Sequence, residues 1–162
     1  MRRLPSAPVV LAAIALAAAP LAALARNPAR NYARAGQGYP LAAQNYELDC
    51  MGCHGVDGHG VPGKIPPLAN SLARFMRTPA GRDYVLRVPG AADSPLSDRD
   101  LAAVLNWIAT SFDAEDLTSQ TTPFTEQEVA RVRRHPMRSV LARRREVVQA
   151  LAATGAAPPL QY

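Results

Sequence analysis

The chain predicts an all-α protein, on three observations. Apolar residues recur three and four positions apart in segment after segment, no run alternates with the two-residue period of a strand, and side-chain capping signals open the two best-defined helical runs. The total of 162 residues suits one small domain with appended segments.

Residues 1–25 read as an export signal. Arg2 and Arg3 form a positive start, an apolar stretch runs from about Val9 to Leu24, and Ala23-Leu24-Ala25 supplies a small-x-small cleavage pattern. Pro20 interrupts the stretch, which favours cleavage over an uncleaved anchor. No later segment approaches the about 20 consecutive apolar residues of a membrane-spanning helix, so no span is expected after cleavage. Removing Arg2 and Arg3 lowers the formal charge from +5 to about +3, too little to point to a partner. Residues 26–38 are polar, rich in Ala, Arg and Gly and without a period, as in a flexible leader.

A domain is expected over residues 39–112. From Pro40 the pattern turns helical, with Leu41, Asn45, Leu48 and, offset by one, Tyr46 near one face of a helix that runs into Cys50. The glycines and prolines from Gly55 to Pro67 then make regular structure improbable as far as Leu68. A second helix is expected from Ser71 to Met76, and a short third one from Gly81 to Val88, stopped by Pro89-Gly90. The clearest helix opens at Leu96-Ser97-Asp98-Arg99-Asp100. Ser97 caps it, Asp98 and Asp100 suit its positive end, and Leu101, Val104, Leu105, Ile108 and Phe112 form its apolar stripe with Trp107 alongside.

Residues 113–123, acidic and rich in Thr and Ser, read as a linker, and residues 124–162 as a basic helical extension. Thr125-x-x-Glu128 is a capping box ahead of Val129 and Val132. Pro136 interrupts that helix, and a second segment carries Val140, Leu141, Val147, Val148 and Leu151. The arginines between these positions read first as a solvated face and second as a patch for an acidic partner.

The chemistry lies in Cys50-Met51-Gly52-Cys53-His54. A C-x-x-C-H run is an attachment site for c-type haem: two thiols add across the vinyl groups, whose separation the two-residue spacer matches, and the adjacent imidazole is aimed at the iron. A thioredoxin-like pair would lie beside a βαβ pattern, and a zinc site needs a second knuckle. The chain has two cysteines, both here, so neither alternative finds its remaining parts.

Cys50 to Gly60, CMGCHGVDGHG, together with Ile65-Pro66-Pro67-Leu68 and the segment LSDRDLAAVLNWI, resembles the small mono-haem bacterial group of class I c-type cytochromes over about residues 40 to 112. The resemblance implies a small helical fold around one covalent haem c, with the C-terminal tail additional to it. It implies that Cys50 and Cys53 hold the haem and that His54 is the proximal iron ligand. Pro66 matches the position whose carbonyl orients that imidazole, and Leu68 would wall the pocket. Tyr46 and Trp107 match an aromatic contact between the first and last haem-domain helices, a role that coincides with ordinary core packing.

The sixth ligand departs from the family habit of a methionine shortly before the Leu-Ser-Asp helix start, for this chain reads Val88-Pro89-Gly90-Ala91-Ala92-Asp93-Ser94-Pro95. Met76 is the candidate distal ligand, with Met137 and His135 behind it and an open or water-bound iron as the alternative. Met76 also shares a stripe with Leu72 and Phe75 that core packing explains. His59 is expected to be exposed and non-ligating.

The function expected on this resemblance is a periplasmic electron carrier, not an enzyme. It would transfer single electrons at the haem edge between a periplasmic dehydrogenase and a membrane oxidase complex. One alternative is a small-gas binder or peroxidase-like haem protein that uses an open sixth position; another is a haem subunit docked to a dehydrogenase. Nucleic acid is not an expected partner.

Overall fold

A computed structural model describes residues 40–135 and 137–158; the signal and leader predicted over residues 1–38, and Pro136, lie outside them. The described residues are helical, with one isolated bridge between Val61 and Ile65. In chain order they form α1 (Leu41–Asp49), α2 (Met51–His54), α3 (Leu72–Phe75), α4 (Pro79–Arg87), α5 (Pro89–Ala92), α6 (Asp98–Phe112), a 3-10 turn (Ala114–Asp116), α7 (Glu126–Val132) and α8 (Val140–Ala152).

The longest of these, α6, follows the sequence reading closely. Ser97 Oγ accepts the Asp100 amide at 3.1 Å, which satisfies one of the unpaired N–H groups of the first turn. Leu101, Ala102, Val104, Leu105, Ile108 and Ala109 are buried along one face. Ser97→Ala removes the cap acceptor and is expected to cost about 1 kcal/mol in urea unfolding.

On α1 the buried face differs from the expected one. Ala43, Asn45 and Tyr46 are buried, whereas Leu41 and Leu48 are 61% and 81% exposed. The reason is aromatic packing: Tyr46 stands against Trp107 and Phe112, ring centroids 5.4 and 5.2 Å apart, and this contact sets the rotation of α1 about its axis.

Residues 113–123 do more than connect. Asp113 is 2% exposed, and its carboxylate accepts the amides of Ser71 at 3.3 Å and Ala73 at 2.9 Å, donors at the start of α3. Asp116 receives Arg74 Nε at 2.8 Å, and its carbonyl receives Arg77 Nη2 at 2.6 Å. The segment is thus a strap across α3, not a spacer.

The tail drawn as an extension shares its core with the preceding domain. Phe124, Val129, Val147, Leu151 and Ala156 join Tyr46, Phe75, Leu86 and Ile108 in one buried cluster. The Thr125 hydroxyl accepts the Glu128 amide at 3.2 Å, which is half of the expected capping box. Glu128 does not complete it, because its carboxylate takes both the Nε and Nη2 groups of Arg82. Several arginines read as a solvated face also serve inside the molecule. Arg133 pairs with Asp98 at 2.6 Å, and Arg144, 8% exposed, lies over the Phe75 ring.

Burial raises the Asp113 carboxyl to about 6, against the opposing pull of the Ala73, Ser71 and Asn70 amides. Its pKa in the folded chain thus exceeds the unfolded value, and the folded state binds the extra proton. The corresponding stability is fully present below about pH 4 and is lost as pH rises through about 6. The unfolding free energy of the native protein minus that of Asp113→Asn is therefore expected to fall, by on the order of 2 kcal/mol, between those values.

Candidate haem site

The C-x-x-C-H segment is wound into helix directly after α1. Cys50 N–H donates to Tyr46 O at 2.9 Å, and His54 N–H donates to Cys50 O at 3.0 Å, so Cys50, Cys53 and His54 sit on consecutive turns of a continuing spiral. Gly55, at φ 79, breaks it. The Tyr46 hydroxyl then donates to Gly55 O at 2.5 Å, tying the end of the turn back to the helix that delivers it.

The following loop folds under the histidine. Gly60 N–H donates to His54 O at 2.8 Å, and the amides of Leu68 and Ala69 both donate to Gly58 O, at 2.7 and 3.0 Å. Val61 and Ile65 exchange two backbone bonds, which turns the chain so that Pro66 faces the imidazole. Close approach explains the glycine at 60: with φ +67, a Cβ there would lie 2.4 Å from Ile65 O. Gly58 is held as tightly, since a Cβ would meet the Phe112 ring at 2.8 Å.

This loop produces the decisive contact. His54 Nδ1 lies 3.0 Å from Pro66 O. A carbonyl only accepts, so Nδ1 carries the proton, and the lone pair of the neutral ring is on Nε2, the nitrogen available to a metal. Burial lowers the His54 pKa from its ordinary value while the Pro66 hydrogen bond opposes the shift, so the ring is neutral at pH 7.

The two cysteines are unbridged, Cys50 half-buried and Cys53 exposed. Burial pushes the Cys50 thiol up to about 11. No group of three or more His, Cys, Asp or Glu capable of holding a metal ion occurs among the described residues, so the second half of a zinc site is missing there too. The donor set fits haem c instead: two thiols across a two-residue spacer, and an imidazole whose outer nitrogen is left for iron.

A sequence model of the family described as Cytochrome c matches residues 40–112. Cytochrome c-552 of Thermus thermophilus is 33% identical over 118 residues, which cover 60% of this chain and 90% of that protein. A second cytochrome c-552, from another strain of T. thermophilus, is also 33% identical over 118 residues, 60% of this chain and 80% of its own length. The chain belongs to the cytochrome c family. As a cytochrome c it binds haem c covalently and functions in electron transfer.

The alignment also shows that this cytochrome is short. Sixty per cent of 162 residues is about 97, so about 20 of the 118 aligned positions have no counterpart here. No described helix is long and apolar enough to cross a membrane.

Of the residues singled out in the sequence, Cys50, Cys53, His54 and Pro66 are brought into one turn-and-loop unit. Leu68, half-buried against the core, is bound to that unit through Gly58. Met76 lies elsewhere in the packing, 3% exposed in the buried cluster that includes Leu72, Phe75 and Tyr84. His59 is exposed as expected and pairs with Asp57 at 3.3 Å. Phe112 and Gly58 were not anticipated as partners. Their signal was the second glycine of the G-x-D-G-x-G run, which marks a close approach without saying to what.

Proposed function

We propose that this cytochrome is a periplasmic mono-haem carrier of single electrons. It would take them from a periplasmic dehydrogenase and pass them to a membrane oxidase complex. Cys50 and Cys53 form the thioethers, His54 is the proximal iron ligand, Pro66 orients it, and Leu68 packs beside it. The observation that carries this reading is the 3.0 Å contact between His54 Nδ1 and Pro66 O, at the end of the turn that presents both thiols.

Haem c supplies the reversible one-electron iron couple. The rest of the work falls to the chain. His54 is held neutral and in one tautomer, so its Nε2 lone pair is directed without a proton to displace. The Pro66 hydrogen bond increases the electron-donating character of the ring, which favours the oxidised metal. The backbone bonds from Gly60 to His54 and from Leu68 to Gly58 tie ligand and loop into one unit. A site that changes little in shape between redox states needs little rearrangement per electron.

The domain scheme retained is a signal over residues 1–25, a leader over 26–38, a haem domain over 39–112 and a strap and tail beyond it. The export reading rests on the first of these and on the two-cysteine attachment segment, which agree on a compartment outside the cytoplasm.

The test is expression in a bacterial strain able to mature c-type cytochromes. The soluble periplasmic fraction is expected to contain red protein that carries one haem mass increment and lacks residues 1–25. Its reduced form should be reoxidised by respiratory membranes. Colourless protein, or a haem protein that membranes do not reoxidise, would contradict the proposal.

A further inference from the structure

We infer that the chain offers no side chain to the iron position opposite His54, and that this position takes a small neutral π-acceptor molecule such as carbon monoxide or nitric oxide on the reduced metal. The inference rests on the haem attachment proposed above.

It follows from where the soft and imidazole donors lie. Met51 is inside the attachment turn that presents His54, so it belongs to the imidazole's own segment. His59 lies on the loop that runs from His54 to Pro66, where Asp57 holds it. Met76 is 3% exposed within the apolar cluster, its surface taken up by protein packing. Met137 is packed against that same core, and His135 is exposed at the end of α7, where its carbonyl accepts Arg87 Nε at 2.7 Å. Residues 26–39 and 159–162, outside the described structure, contain neither methionine nor histidine.

The segment before α6 is closed as a route. Val88 O accepts the amides of Ala91 and Ala92 at 3.0 and 2.8 Å, so the connection from α4 to α6 is used up in the single turn of α5. Its far end is pinned: Arg133 Nη1 donates to Leu96 O at 3.0 Å, while Arg133 Nε pairs with Asp98. Its side chains between Pro89 and Pro95 include no thioether and no imidazole. The shortfall of about 20 positions against cytochrome c-552 agrees with a chain from which a connecting segment has been trimmed.

The experiment uses purified, haem-loaded protein, reduced at pH 7, with carbon monoxide as the probe. A pyridine haemochrome spectrum and the protein mass establish haem c first. The expected result is a shift of the Soret band on adding carbon monoxide, with the same shift in Met76→Leu and Met137→Leu, substitutions close to volume-conserving. Haem c with no shift in the native protein would overturn the inference. A shift confined to either variant would do so too, by naming the sulfur that had held the site. Absence of the haem mass increment would overturn the attachment reading itself, so the two failures are distinguishable.

Discussion

Changing Cys50 and Cys53 together to alanine is expected to abolish covalent haem retention and to make thermal stability depend on dilution. A group that binds only the folded chain stabilises it in proportion to RT ln(1 + [L]/Kd), so an untethered haem loses about 1.4 kcal/mol of that effect for each tenfold dilution. Two thioethers remove this dependence, because the group cannot leave. Extraction of acid-denatured protein with an organic solvent measures the first effect: all haem stays with the native chain and all of it leaves the double variant. Melting curves at several protein concentrations measure the second. A melting temperature for the variant that is independent of dilution, with haem still present after extraction, would show that the sulfurs are not the tether.

Arg82→Met is expected to be the most damaging single change away from the haem site. Arg82 Nε donates to Glu128 Oε1 at 2.7 Å and its Nη2 donates to Oε2, while Nη1 donates to Thr122 O at 2.6 Å and Nη2 to Pro123 O at 3.2 Å. Its guanidinium also lies 4.3 Å above the Phe124 ring. Both charged side chains are largely buried, at 13% and 20% exposed. Removing one member leaves Glu128 as an uncompensated carboxylate beside the core, which costs about 3 kcal/mol. Guanidinium unfolding of the haem-loaded protein should show that loss. Arg82→Met combined with Glu128→Gln should recover part of it, since the orphaned charge is then gone. A single variant as stable as the native chain would mean that the pair does not hold the tail in place.

The strap and the tail show why such clamps matter. Asp113 and Asp116 fasten α3, Arg82 fastens α7, and Arg133 fastens the start of α6. Each joins residues more than thirty positions apart. Local pattern registers a charged residue with no obvious partner as solvated, because solvation is the usual fate of such a residue.

What could be read in the chain itself was whatever depends on neighbours in sequence. The attachment turn, the glycine loop, the Ser97 cap and the apolar stripe of α6 arise within a few residues of one another, from spacing, capping and backbone freedom. The partners of those elements depended on packing. Local periodicity placed Leu41 and Leu48 on the inner face of α1, but the Tyr46 contact with Trp107 and Phe112 turned that helix so that both leucines face outward. In the same way, composition separated a linker and tail from the domain, whereas burial of Phe124, Val129, Val147 and Leu151 against the helices of the haem domain made them one core. Tertiary structure decided these points because apolar area is buried only when distant segments meet, and no window along the chain contains both sides of that contact.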